Sequence, residues 1–255
     1  MDTSSARQPQ TRRRCAVCPV VFNGRADKIY CSPACKEKAR RMRLEATKTV
    51  ASRGAVPSVI RGSNGVLIAT VAQLGYLGRP DGVGAMVMDV TYGRGFWWTR
   101  WMPEFLVVHV GDFRDLAKNS DCCPAICFDP PYISTGRRET SSIDRFYEAY
   151  GLAEVKGWRA VRQVIDEGLA ECARVLAPRG HLLVKCMDYV ESGHKVWNTF
   201  HVAAEAESLG LQLKDRFHHI ATGKGGPQPL TNLDGSPREW QHAKEVSSML
   251  LVFTK

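Results

Sequence analysis

At 255 residues, 44% apolar and 9% aromatic, the chain has the composition of a globular protein, with room for one α/β domain of about 200 residues and a small appendage. That excludes a disordered chain. No apolar run approaches the roughly 20 residues that span a bilayer, and the polar, basic stretch Met1–Arg14 lacks the apolar centre of a secretory signal, so a cytoplasmic protein with no membrane partner is expected. The formal charge of +9 is lopsided. Residues 1–48 hold 12 Lys/Arg against 4 Asp/Glu and the other 207 hold 23 against 22, which concentrates a polyanion-seeking field in the N-terminal segment.

Residues 1–14 read as a basic disordered arm ending in Arg12-Arg13-Arg14, either solvated or touching phosphates. The nine cysteines are an odd number, and without export disulfides are not expected. Cys15-Ala-Val-Cys18 and Cys31-Ser-Pro-Ala-Cys35, twelve residues apart, match tetrahedral thiolate coordination of zinc. A segment this short cannot bury a core of its own, so metal binding would supply most of its folding energy. Phe22, Ile29 and Tyr30 would pack under the metal. Ser32 is a good N-cap and Pro33 a good first helical residue, and the helix they begin carries Arg40, Arg41 and Arg43. Residues 15–48 therefore form an expected zinc module, and it resembles small bacterial and phage zinc knuckles with a Cys-Ser-x-x-Cys second half and an Arg-rich helix.

Residues 49–64, with Ser52, Gly54, Pro57, Gly62 and Ser63, read as a linker. Gly65–Leu77 suggests a helix or mixed segment capping a sheet. Ala85–Asp89 reads as a buried strand, followed by a turn at Gly93-Arg-Gly95 and a helix start; glycines there let backbone approach a ligand. Gly-x-Gly alone also suits a dehydrogenase, but the third glycine of the dinucleotide pattern is missing. Phe105–Val110 is a second strand, ended by Gly111-Asp112-Phe113-Arg114. Cys122, Cys123 and Cys127 read as buried thiols.

Ile126-Cys127-Phe128 is a third apolar strand, and Asp129-Pro130-Pro131-Tyr132 ends it. The prolines stiffen the turn, so that the Asp129 carboxylate and the Pro130 carbonyl can converge on one spot beside the Tyr132 ring. A planar amino group on a nucleobase needs two such acceptors for its hydrogens and an aromatic face to stack on. Beyond it, residues 133–150 read as a loop at the substrate entrance, Gly157–Leu176 as a packing helix, and Pro178-Arg-Gly180 as a turn into a strand ending at Lys185, a buried-rim lysine. His194–Leu209 follows as an amphipathic helix, and Leu211–Phe217 and Ser248–Phe253 as two strands. Between those strands, the polar segment 221–242 offers Lys224 and Arg238 for phosphate or base contacts, as a loop of this length inside a domain is usually functional.

Asp-Pro-Pro-Tyr after an apolar run resembles the catalytic motif of amino-directed DNA methyltransferases. The strand-Asp89-x-x-x-Gly-x-Gly forty residues before it resembles the first motif of S-adenosylmethionine methyltransferases. The wording of both motifs is similar to phage and actinobacterial enzymes, and the resemblance covers roughly residues 85–255. It implies an α/β fold, with a Rossmann-like methyltransferase domain over 65–255 behind the zinc module. It implies S-adenosylmethionine held by Asp89, Thr91, Tyr92, Gly93, Gly95, Asp112 and Phe113, with Asp112 on the adenine amino group and Phe113 against its ring. It implies catalysis by Asp129, Pro130, Pro131 and Tyr132 on a DNA base that has left the stack, in a bacterial or phage-infected cell. Adenine N6 is preferred because the related cytosine enzymes more often carry Ser at the place of Asp129. The alternatives are an RNA or N4-cytosine enzyme, or a non-catalytic zinc-dependent DNA-binding protein. One departure stands out: only 33 residues separate Gly95 from Asp129, where the family usually fits two strands and a ribose-binding acid. Glu104 and His109 are weak substitutes for that acid. Oligomeric state is left open.

Overall fold

The computed structural model describes residues 11–15, 17–18, 20–24, 29–50, 55–131, 150, 152, 155, 157–191, 194–222 and 247–255, with backbone alone for 11–14, 24 and 42–50. In chain order the elements are β1 (Thr11–Arg14), β2 (Val21–Gly24), α1 (Pro33–Val50), β3 (Val59–Gly62), α2 (Asn64–Val71), β4 (Met86–Asp89), β5 (Phe105–Val108), β6 (Cys123–Phe128), α3 (Trp158–Val175), β7 (Leu176–Cys186), β8 (Tyr189–Glu191), β9 (His194–Val196), α4 (Asn198–Ser208), β10 (Gln212–Ala221) and β11 (Ser248–Thr254).

Seven strands form one sheet in the order β3-β10-β11-β7-β6-β4-β5. β7, β6, β4 and β5 are parallel, and β11 runs antiparallel between β7 and β10. The central strands are nearly continuous apolar runs, because helices and loops cover both faces of a parallel sheet. Alternate residues go to opposite sides. Met88, Ile126, Phe128, Leu182, Val184, Leu251 and Phe253 pack with α3 and α4. Val87, Ala125, Cys127, Leu183, Leu250 and Val252 pack with α2 and the indoles of Trp97, Trp98 and Trp101.

α3 places Val161, Val164, Ile165, Leu169 and Cys172 inward at helical spacing. Its Gly168 is where the rings of Phe128 and Phe113 press closest: an added Cβ would lie 2.6 Å and 2.8 Å from them. β7 begins with a bulge around Pro178-Arg179-Gly180, where Arg179 is left-handed at φ 63° and the register against β6 jumps from Leu176 to His181.

The α/β, Rossmann-like expectation holds, and so do the strands at 86–89, 105–108 and 123–128, helix 158–175, and the closing antiparallel pair. Several boundaries differ. The expected arm 1–14 ends in β1, which pairs with β2. The expected linker 49–64 contains β3, which joins the sheet edge through β10. After Gly95 the chain makes a single 3-10 turn, Phe96–Thr99, instead of a helix. The segment from His194 opens with β9, the second strand of the β8–β9 hairpin, before α4 starts at Asn198. Between Gly95 and β6 there is one strand, β5, which forms the sheet edge, and its Phe105 is half exposed.

Candidate active site

Because β4, β5, β6 and β7 are parallel, their C-terminal ends share one edge of the sheet, where ligands bind in open α/β folds. Asp89 ends β4 and is opposite Cys127 in register, so Asp129 emerges beside it; Phe128 is opposite Val184, which sets Asp129 near Lys185.

Asp89 is 4% exposed. Its Oδ2 accepts the Trp98 indole N–H at 2.6 Å and its Oδ1 the Thr91 N–H at 3.0 Å. Burial raises its carboxyl to about 7, against these two hydrogen bonds and with help from the negative charge of Asp129. Asp129 lies nearer the rim. Its own N–H donates to Thr91 Oγ1 at 2.6 Å, its Oδ2 accepts the Trp97 indole N–H at 3.1 Å, and Lys185 Nζ lies 3.6 Å from the same oxygen. Thr91 therefore bridges the two acids, its amide bound to one and its hydroxyl to the other. Among the described residues Asp129 Oδ1 takes no hydrogen bond. Pro130 and Pro131 are buried behind it. Tyr132 lies outside the described residues, as do Lys224 and Arg238 and the side chain of Arg43.

The glycine turn is left-handed at Gly93 (φ 51°) and Gly95 (φ 71°). A Cβ on Gly95 would meet the Tyr92 hydroxyl at 2.6 Å, so part of the room the glycine leaves is filled by the chain's own tyrosine. The Gly93 N–H donates to the Tyr150 hydroxyl at 3.0 Å.

Asp112 lies just past the end of β5, half-buried, with both carboxylate oxygens held by Arg114 and its acidity strengthened by that guanidinium. Phe113 departs from its expected part. It is 0% exposed, with Phe128 5.1 Å and Tyr150 5.7 Å from it, centroid to centroid; its ring is core and has no open face for an adenine. Glu104 sits at the start of β5, the opposite edge, accepting from the Gly84 N–H. His109 is at the correct end, its N–H on the Asp89 carbonyl.

Trp97, Trp98 and the Lys185–Asp129 pair are what sequence reading missed as parts of the site. A signal was present in the Trp pair: two adjacent buried indoles need two N–H acceptors, and two acids stand at the neighbouring strand ends.

A second cluster lies in the N-terminal segment. The Sγ atoms of Cys15, Cys18, Cys31 and Cys35 all lie within 4.8 Å of one another, an arrangement that can hold a metal ion. Cys18–Cys31 and Cys31–Cys35 are each 3.5 Å apart and Cys35–Cys18 3.6 Å. For comparison, a tetrahedron of thiolates about 2.3 Å from zinc has edges of ~3.8 Å. Burial opposes ionisation of Cys15, but the Cys31 and Val17 N–H groups directed at its sulfur bring it down to about 7. Thiol neighbours, Cys18 foremost, push Cys31 up to about 12. On α1, Arg40 and Arg41 are exposed and share the Glu37 carboxylate.

The sheet, with one antiparallel strand among parallel ones and helices against it, resembles the Rossmann-like fold of S-adenosylmethionine-dependent methyltransferases. Solved structures similar to the chain include a putative DNA modification methylase from Thermus thermophilus complexed with S-adenosyl-L-methionine, at 15% identity over 67% of this chain and 56% of that one, TM-score 0.37. Another is the cytosine-N4-specific PvuII DNA methyltransferase, at 14% over 57% of this chain and 48% of that one, TM-score 0.39. A third is the complex between a Haloferax volcanii Trm112 methyltransferase activator and a putative methyltransferase, at 16% over 86% and 92%, TM-score 0.34. The chain spans about half the length of the two DNA methylases. No family model matches the sequence, and no curated protein matches it. These likenesses are distant, and the functional reading rests on the chain's own residues. Among the described residues no helix is long and apolar enough to cross a membrane.

Proposed function

We propose that the chain is an S-adenosylmethionine-dependent methyltransferase. Its acceptor is the exocyclic amino group of a DNA base, with adenine N6 preferred. One observation supports this above the others: the acid of the Asp-Pro-Pro turn and the glycine turn after β4 form a single hydrogen-bonded unit through Thr91 and Trp97. A nucleophile at Asp129 is then beside whatever the glycine turn holds.

S-adenosylmethionine, when bound, supplies an electrophilic methyl group. The chain's own residues would do the rest. Asp89, pinned by Trp98 and Thr91, fixes the start of the glycine turn, and Asp112, aimed by Arg114, serves the adenine end. Trp97 and Lys185 both engage Asp129 Oδ2 and turn Oδ1 outward to accept one amino hydrogen, while the Pro130 carbonyl accepts the other. Withdrawing both hydrogens from the ring plane localises the nitrogen lone pair for attack. Tyr132 would stack on the extruded base.

Zinc in the four-cysteine cluster would stabilise the N-terminal module and present Arg40, Arg41 and Arg43 to phosphates. Elemental analysis of the purified protein should find one zinc per chain, and Cys31→Ser should lose it; a metal-free wild type ends the zinc assignment. Incubation with methyl-tritiated S-adenosylmethionine and DNA, RNA or protein in parallel tests the activity. Label in DNA is expected. Label confined to RNA or protein, or none at all, would reject the proposed substrate.

A further inference from the structure

The segment just past Lys185 and the start of α3 build a surface that the methyl-transfer site does not use. Met187 accepts from Asn198 Nδ2 at 3.2 Å, and Asp188 Oδ1 accepts from Thr199 N–H at 2.8 Å. These bonds tie the beginning of α4 to the chain two to three residues beyond Lys185, about 7–10 Å of extended backbone. The adjacent Trp197 and Phe200 therefore stand at the same sheet edge as Asp129. They are 50% and 68% exposed, with ring centroids 5.9 Å apart in an edge-to-face pair.

Cations are interleaved with these rings. Lys195 Nζ lies 5.3 Å from the Trp197 ring centroid. Arg159 and Arg162 lie 4.6 Å and 4.9 Å from the Trp158 ring, and Arg162 Nη2 donates to the Trp197 carbonyl at 3.3 Å, joining the two aromatic groups into one face. Among the described residues neither guanidinium has a carboxylate partner. Two nearby acids are already engaged, Asp166 by His201 at 2.7 Å and Glu191 by the Tyr189 hydroxyl at 3.1 Å.

Exposed tryptophan and phenylalanine alone would suit a protein partner. With arginine and lysine set among them, the face suits a polyanion that also carries flat apolar rings. We infer that Trp158, Arg159, Arg162, Lys195, Trp197 and Phe200 form a docking face for a DNA strand with unstacked bases, phosphates on the cations that Trp158 helps to position and bases on the exposed rings of Trp197 and Phe200. The identity of the strand rests on the proposed amino methylation: extruding a base for Asp129 opens the duplex locally, and this face lies beside the opening.

The test uses full-length protein and a short fluorescent oligonucleotide, single-stranded and as a perfect duplex, read by anisotropy, with thermal melting to confirm folding. Trp197→Ala/Phe200→Ala should weaken single-strand binding about tenfold or more and duplex binding less. Trp197→Phe, which keeps a stacking face, should retain most of the affinity. Arg159→Ala should reduce the slope of log K against log salt by about 0.7. Single-strand affinity within twofold of wild type in the folded double variant would overturn the inference. So would a sedimentation result in which that variant loses self-association but not oligonucleotide binding, since the face would then join two copies of the chain. If the double variant loses oligonucleotide binding while wild type transfers no methyl group, the face stands and the methyltransferase reading falls. Unchanged binding with an active wild type gives the reverse.

Discussion

Asp89 and Asp129 end neighbouring parallel strands, and each accepts an indole N–H from one of two adjacent tryptophans. Their surroundings separate them. Asp89 is 4% exposed, both its oxygens are met by neutral donors, and burial drives its carboxyl up to about 7. The Asp129 side chain is 23% exposed and faces an ammonium group at 3.6 Å, and among the described residues its Oδ1 takes no hydrogen bond. An acid enclosed by neutral donors holds its own turn in place. An acid at the rim with a cation beside one oxygen is placed, on the proposed reading, to offer the other to the substrate amino group. On the proposed reading, the same residue type at the same kind of position is a pin in one strand and a substrate contact in the next.

The contrast breaks first at Lys185. Its side chain is 8% exposed, so Lys185→Met removes the buried cation beside Asp129 Oδ2 and leaves that oxygen only the Trp97 indole N–H among the described residues. A loss of about 2–3 kcal/mol in urea unfolding is expected, below the full value for a buried pair because Asp129 is partly exposed. Adding Asp129→Asn to that variant should recover the part of the loss that comes from the uncompensated Asp129 charge.

Next comes pH. An unfolded aspartate titrates near 3.9, so with a folded value of about 7 the native state keeps a proton that the unfolded chain has released. Stability should therefore fall as pH rises from about 4 to 7 and level off above, by on the order of 2–4 kcal/mol in all. In Asp89→Asn that fall should vanish, whereas in Asp129→Asn it should persist. Unfolding midpoints at pH 5 and pH 8 compare the three proteins directly.

The smallest effects belong to the indoles. Trp98→Phe leaves a buried acceptor short of a donor and should cost roughly 1–3 kcal/mol. Trp97→Phe touches the rim acid and should cost about 1 kcal/mol or less. Equal losses in thermal melting would erase the distinction between pin and contact.

The sequence carried much of this. Ile126–Phe128 and Met86–Asp89 are apolar runs ending in acids, and the 158–175 helix shows its inward face through Val161, Val164, Ile165 and Leu169. β3 was not legible because Val-Ile-Arg-Gly buries only Ile60, and its pairing with β10 spans some 160 residues of chain. The hairpin before α4 is likewise too short and polar to announce itself. Phe113 looked like a ligand contact because it follows an acid at a strand end. Its ring turns inward instead, into the gap opposite Gly168 on a helix fifty-five residues later. The indole donors to Asp89 and Asp129, and Lys185 across the sheet, are tertiary pairings that no local pattern reports.

The most direct test of the central claim is nucleoside mass spectrometry of DNA from cells expressing wild type or Asp129→Ala, with S-adenosylmethionine binding of both proteins followed by calorimetry. N6-methyladenine in the first DNA and none in the second, at similar cofactor affinity, is the expected result. Equal methylation in both samples would contradict it, as would no methylated amino base in either.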